Sequence, residues 1–305
     1  MTAEVPLHPD APGWFRRALA VPFTDEQVEV AGCPIHYLAW GERGRRGLVF
    51  VHGGGAHAHW WTHVAAPFAE ELRVVAIDLS GHGDSGHRPV YDFEQWTDEV
   101  MAVTEDAGIE GLPTIVGHSM GGFVTIATAA LHPDRVSGVV ICDSPVTEPD
   151  PEVESYRLKE AFGRPRTYPT EAEALARFRT VPAQERYLDY VMDHVGRRSL
   201  VAGDEGYRWK FDRTVFAQFA GGSIRAIALP HLRRVVARFA LLRSENGLVT
   251  LDIGQSMNEA LGRVAPVIEI PEAGHHPMLD QPLILLTALR TLLADWEHSE
   301  PHRRR

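Results

Sequence analysis

Four points of the chain carry side chains that together could run acyl-transfer chemistry. Ser119 stands in Gly117-His118-Ser119-Met120-Gly121, and a serine hydroxyl becomes a nucleophile when a base takes its proton and a third group orients that base. Base candidates are His275 and His276, in "PEAGHHPMLDQP". Two carboxylates could hold the histidine: Asp143 in "VVICDSP" and Glu245 in "LLRSENG". A developing oxyanion needs two N–H donors, one of them following the nucleophile. Met120 fits that position, and Gly54, within His52-Gly53-Gly54-Gly55, supplies side-chain-free backbone for the other, with Gly55 as the substitute.

These residues are useful only if rigid elements bring them together. Runs rich in Val, Ile and Leu recur at "GLVFVHGGG", "RVVAIDLSG", "PTIVGHSMGG", "RVSGVVICDSP", "RFALLRSENG" and "APVIEIPEAGHH". Such continuous apolar strands are buried on both faces, as in a parallel sheet covered by helices. Helix-like segments, "FVTIATAALH" after Gly122 and "LILLTALRTLLADW" after Pro282, repeat their apolar positions at three and four residues. The expected class is therefore α/β, a mostly parallel central sheet flanked by helices with right-handed crossovers. Ser119 then lies between a strand and a helix, on a turn too tight for side chains at the flanking positions, and beside free helix N–H groups. Asp143 follows a buried strand, at the carboxyl edge where open α/β sheets place their sites.

One region breaks the rhythm. From about Thr147 to Arg234 no buried-strand run occurs, only aromatic, charged and Pro-punctuated segments such as "EAEALARFRTVPAQERYLDYVMDHV". We expect a core of residues 1–146 and 235–305 with a mainly helical insertion, 147–234, lying over the sheet. The run "YRWKFD" within it is compatible with a strand or a helix rim. Tyr190, Tyr207, Trp209, Phe211, Phe216 and Phe219, with Trp60 and Trp61 beside the glycine loop, suggest a mostly apolar chamber over Ser119. Pocket candidates are Gly55, His118, Trp60 and Trp209.

H-G-G-G after one strand, G-H-S-M-G-G after another, "DLSGHGDSG" between them and "GHHPMLDQP" near the end resemble the α/β-hydrolase superfamily in the right order. The resemblance covers both ends of the chain but not the insertion. It implies an α/β-hydrolase fold with a helical cap, a serine nucleophile at Ser119, and the base directly after the glycine, at His275. In many such hydrolases the acid lies in a G-x-x-D turn after the penultimate strand. That pattern laid on "LLRSENG" puts Ser244 at the glycine and Gly247 at the acid, with Glu245 two residues early. Some subfamilies, including certain lactonases and haloalkane dehalogenases, carry the acid after the strand that follows the nucleophile helix, which here is Asp143. Asp143 is thus the expected acid and Glu245 the alternative.

The implied reaction is hydrolysis of a carboxylic ester or lactone of a hydrophobic small molecule through an acyl-enzyme, without metal or organic cofactor. Relatives with the same serine and histidine also hydrolyse C–C bonds of diketone-type substrates. A cofactor-free acid/base lyase or a ligand receptor on the same scaffold are the other classes.

Composition bounds the rest. A formal net charge of −11 argues against nucleic acid and anionic membrane as partners, and a homodimer is compatible with the sequence. The closing "HRRR" reads as a solvated tail. Two cysteines, Cys33 and Cys142, fit a reducing compartment better than a disulfide framework. The opening residues show no basic start followed by an apolar run, and no long apolar span occurs, so a cytoplasmic protein is expected. Gly81-His82-Gly83-Asp84-Ser85-Gly86 spells a dinucleotide fingerprint, but Arg88-Pro89-Val90-Tyr91 blocks the long helix that the fingerprint must open. His52, His57, His59 and His63 crowd the glycine loop without an accompanying carboxylate or cysteine, so His52 reads as structural and the others as lining.

Overall fold

The computed structural model describes residues 6–147, 166–216, 224–262 and 265–299. Eight strands form one sheet in the order β1-β2-β4-β3-β5-β6-β9-β10. They are β1 (Phe23–Val30), β2 (Cys33–Trp40), β3 (Arg46–Val51), β4 (Arg73–Ile77), β5 (Glu110–His118), β6 (Gly138–Cys142), β9 (Arg238–Asn246) and β10 (Val267–Gly274). From β4 to β10 every neighbouring pair is parallel, and β2 joins antiparallel to β4.

All six apolar runs read from the sequence are strands of this sheet. Their burial on both faces is direct: Val49 and Val51 of β3 pack into one core cluster, Leu48 and Phe50 into the other. Helices Phe93–Asp106 and Met120–Leu131 cover the first face, and Thr62–Ala65 and Pro282–His298 the second. Each fully buried Val, Leu, Ile or Phe contributes on the order of 1.5–3 kcal/mol.

Strands β1 and β2 lack the apolar-run signal and add to the expected six. β1, "FTDEQVEV", is a half-exposed edge strand, and it returns into β2 through Ala31 and Gly32, both at positive φ. Alternation in β1 and the two-residue turn mark this hairpin, while β2 is buried almost throughout.

The chain runs from β3 outward to β4, then returns to the other side of β3 as β5. At this switch point the crevice opens beyond the carboxyl ends of the strands.

Among the described residues, the segment between β6 and β9 combines helices with one hairpin. Its described residues hold helices Glu171–Leu175, Asp189–Arg198 and Ile224–Leu232, and also a two-stranded antiparallel hairpin, β7 (Leu200–Gly203) and β8 (Gly206–Trp209). "YRWKFD" therefore begins as a strand, because alternate residues face opposite sides of the hairpin. Phe219 and the closing "HRRR" lie outside the described residues. Among the described residues no helix is long and apolar enough to cross a membrane.

Candidate active site

Each chemistry-bearing residue is the first after a parallel strand. His118 of β5 pairs with Cys142 of β6, so Ser119 and Asp143 leave neighbouring strands side by side, while His275 follows β10. The Ser119 N–H donates to the Cys142 carbonyl at 3.1 Å, and the Asp143 N–H to the Leu242 carbonyl at 2.8 Å.

Ser119 has φ 52° and ψ −118°, a conformation that L-residues rarely adopt, and helix Met120–Leu131 begins at the next residue. The flanking glycines make the turn possible. A Cβ on Gly117 would overlap the Gly121 carbonyl, and one on Gly121 would overlap the Val51 and His52 carbonyls. The following helix thus excludes a side chain at Gly117, and the end of β3 excludes one at Gly121.

His275 Nε2 lies 3.0 Å from Ser119 Oγ, and His275 Nδ1 lies 2.7 Å from Asp143 Oδ2. A carboxylate can only accept, so Nδ1–H donates to Asp143 and Nε2 is left to accept from the serine hydroxyl. His275 and Asp143 are buried and Ser119 faces the cavity.

Asp143 is further held by three backbone donors: the N–H groups of Leu248 at 2.7 Å, Val249 at 3.1 Å and Ser244 at 3.3 Å. Burial alone would raise its pKa. The hydrogen bond and charge of His275, with the Leu248 and Val249 N–H groups, outweigh burial and hold the carboxyl below its ordinary value. Neither Leu248 nor Val249 carries a sequence signal, because the contribution is main-chain.

Glu245, the alternative acid, is exposed and points elsewhere. Its Oε2 accepts from the Glu272 N–H at 2.7 Å, stabilising a residue at φ 57°. The reason is strand alternation and position: the loop after β9 turns its backbone donors, not that side chain, toward the histidine.

His276, the other base candidate, is buried with its Nε2 3.1 Å from the Pro182 carbonyl. Burial and the neighbouring His275 and His118 keep it well below the ordinary histidine pKa. Gln184, from the segment between β6 and β9, clips this loop: its Oε1 accepts from the His276 N–H at 2.9 Å and its Nε2 donates to Asp280 Oδ2 at 2.9 Å. Asp280 Oδ2 in turn accepts from the Gly274 N–H at 2.6 Å. Gln184, in "VPAQERY", showed no sign of this role in the sequence.

The crowded histidines each find a protein partner. His52 Nδ1 lies 2.7 Å from the Gly53 carbonyl and its Nε2 accepts from the Leu79 N–H at 3.1 Å, which fixes a neutral ring beneath the glycine loop. His57 meets Ser199, His59 meets Thr62 and His63 meets the Met278 carbonyl. His118 Nε2 lies 2.8 Å from the His275 carbonyl, and burial beside His275 pushes its pKa down to about 3.

The Gly81–Gly86 loop wraps the buried Asp78 carboxylate, which accepts from the N–H groups of Ala58 and Asp84 and from His36 Nδ1. It also bonds to the hairpin's continuation, through Gly83 N–H to the Lys210 carbonyl and Asp212 N–H to the Gly81 carbonyl. The dinucleotide-like spelling is thus a tie between sheet and insertion.

A cavity of about 420 Å³ opens over Ser119. Gly53, Gly54, Gly55, Trp60, His118, Trp209, Phe211 and His276 line it, together with Phe178. Trp61 instead packs on Phe50, and Tyr190 on Trp14 and Phe15; Tyr207 bonds to Tyr168 across a bridge. Phe216 lies over Gly54. Apolar surface is the larger part of the lining, as expected, but Arg166, Arg177, Arg179, Lys210 and Arg213 also reach it. Composition could count the rings, but not which charged side chains the insertion turns inward.

A mostly parallel sheet in this strand order, with serine, acid and histidine at the ends of β5, β6 and β10, defines a hydrolase of the α/β class. A family model described as the alpha/beta hydrolase family matches residues 48–288, and the chain belongs to that family. It is 27% identical to an esterase of Mycobacterium tuberculosis over 279 residues, 88% of this chain and 89% of that protein. It is 26% identical to a mouse sn-1-specific diacylglycerol lipase over 300 residues, 91% of this chain and 94% of that one. The crystal structure of E-2-(acetamidomethylene)succinate hydrolase superposes with a TM-score of 0.78 at 19% identity, over 90% of this chain and all of that one, a likeness of fold.

Proposed function

We propose that this chain is a serine hydrolase that cleaves a carboxylic ester or lactone of a small molecule through an acyl-enzyme. The observation that carries the reading is the continuous hydrogen-bonded chain from Ser119 through His275 to Asp143 at the floor of a cavity.

In this mechanism Asp143 holds His275 with Nδ1 protonated, and Nε2 takes the Ser119 proton as Oγ attacks the carbonyl carbon. The oxyanion is received by the Met120 N–H, at the start of a helix, and by the Gly54 N–H. Each such donor contributes about 3 kcal/mol to the transition state. The histidinium then protonates the leaving alcohol, and water repeats the sequence on the acyl-enzyme. The buried ring of His52 supports the loop that presents Gly54.

The segment between β6 and β9 serves as a cap. Trp60, Phe178, Trp209 and Phe211 offer one apolar wall for a hydrophobic substrate body. Two buried free cysteines support a cytoplasmic setting.

The test is turnover of a panel of 4-nitrophenyl esters and lactones with labelling by a fluorophosphonate. Burst release of nitrophenol and loss of both burst and label in Ser119→Ala are expected. Turnover that survives in Ser119→Ala overturns the nucleophilic mechanism.

A further inference from the structure

The chain carries 41 acidic residues against 30 Lys and Arg, yet the cavity over Ser119 is lined by four arginines and a lysine and, among the described residues, by no carboxylate. That inversion of charge needs a cause, because like charges gathered at a cavity repel and their desolvation is costly.

The five cations are not equivalent. Lys210 Nζ is neutralised by Asp84 Oδ2 at 2.6 Å. Arg179 folds back on its own turn, donating to the Ala176 and Phe178 carbonyls. Arg177 and Arg166 are exposed at the rim. Arg213 differs: its Nη1 is buried and meets no acceptor among the described residues. Burial disfavours its charge most, Tyr168 favours it, and the nearby Arg166 disfavours it to a lesser degree. The carboxylate next to it in sequence, Asp212, is occupied by the Tyr91 hydroxyl and by the N–H and hydroxyl of Thr214. A buried guanidinium donor without an acceptor is costly, and an anionic oxygen is the partner that its planar fork fits best.

We propose that Arg213 and Arg166 form an anion subsite of the cavity, so that the ester cleaved at Ser119 is one whose acyl or alcohol part carries a carboxylate or similar oxyanion. This rests on the serine-hydrolase reading above and narrows it. The aromatic wall of Trp60, Phe178 and Trp209 takes the methylene body, the arginines take the charged end, and the scissile carbonyl lies between Ser119 and the glycine loop. A cavity of about 420 Å³ suits a small molecule of this kind.

The experiment compares mono-4-nitrophenyl adipate, which ends in a carboxylate, with its neutral methyl-capped counterpart, with the Ser119→Ala rate subtracted as background. The readout is the ratio of kcat/KM for the two esters. In wild type the anionic ester is expected to be favoured by about tenfold or more, chiefly through KM, as a charge-assisted hydrogen bond supplies. Arg213→Gln and, independently, the surface variant Arg166→Gln should each cut that ratio several-fold, and raising the salt should cut it in wild type. Thermal melts of both variants check the fold, and Arg166→Gln keeps the test open if Arg213→Gln unfolds.

A ratio near one in wild type, or one that neither variant moves, overturns the anion subsite. Fluorophosphonate labelling separates the two readings. Labelled Ser119 with equal turnover of both esters, or of neither, removes the subsite and leaves the nucleophile standing, whereas an unlabelled Ser119 removes the hydrolase reading on which the subsite depends.

Discussion

The carboxylate of Asp143 fills the space that a side chain at Gly247 would occupy: a Cβ built on Gly247 would overlap both of its oxygens. Gly247 is the position at which the family's G-x-x-D pattern, laid on "LLRSENG", would place the acid. The same point in space therefore receives a carboxylate from β6 instead of from the loop after β9, and the loop donates its Leu248 and Val249 N–H groups to it. A glycine at 247 is the complement of an aspartate at 143.

This arrangement predicts a transposition. Asp143→Ala should lower kcat by about 10³–10⁴, as loss of the orienting acid does in comparable triads. Adding Gly247→Asp to that variant should recover at least about tenfold of the loss, since the new side chain enters the vacated space. Gly247→Ala alone should impair the enzyme by displacing Asp143. Steady-state rates on one 4-nitrophenyl ester decide it, and a double variant no better than Asp143→Ala refutes it.

Glu245→Gln should stay within about twofold of wild type in kcat, because Glu245 bonds the Glu272 backbone and faces away from His275. The glutamine amide oxygen can still accept from the Glu272 N–H, so the exposed hydrogen bond is weakened at most. A crippled Glu245→Gln with an intact fold would return the acid to that loop.

Gly121→Ala should lose about 2–4 kcal/mol of stability and most activity. Its Cβ meets the Val51 and His52 carbonyls, which are main-chain atoms that cannot rotate away. Urea unfolding measures this, and a wild-type midpoint would show that the elbow has slack.

Stability should fall on the alkaline side. His36 lies between Asp78 at 2.7 Å and Asp25 at 3.0 Å. Burial pushes its pKa down, but the hydrogen bonds and charges of Asp25 and Asp78 prevail and raise it from 6.5 to about 10. A folded-state value above the unfolded one means that the stabilisation is complete below pH about 6.5 and is lost as pH rises toward about 10. Asp78, held below its ordinary value chiefly by His36 against burial, works in the opposite sense and loses its contribution as pH falls below about 4. Melting temperatures from pH 6 to 10 should decline in wild type and decline less steeply in His36→Gln; parallel curves would exclude the coupling.

The sequence determined what periodicity and backbone necessity write locally. Six apolar runs gave the buried strands, because a strand covered on both faces must be continuously hydrophobic. Gly117 and Gly121 around Ser119 announced a strand-to-helix turn that admits no side chain. Asp143 and Glu245 both stand at the end of such a run, and the preference for Asp143 came from the resemblance to subfamilies that carry the acid there. Strand β1 was obscured because an edge strand alternates instead of running apolar, and β7–β8 because a short hairpin buries little. Only the tertiary structure decided which side chains meet. That His275 rather than His276 reaches Ser119, that Gln184 clips the histidine loop, that Gly247 makes room for Asp143, and that Arg213 turns into the cavity are all contacts between segments far apart in the chain. Such contacts follow from how strands and loops register against one another, and no local pattern of residues encodes that register.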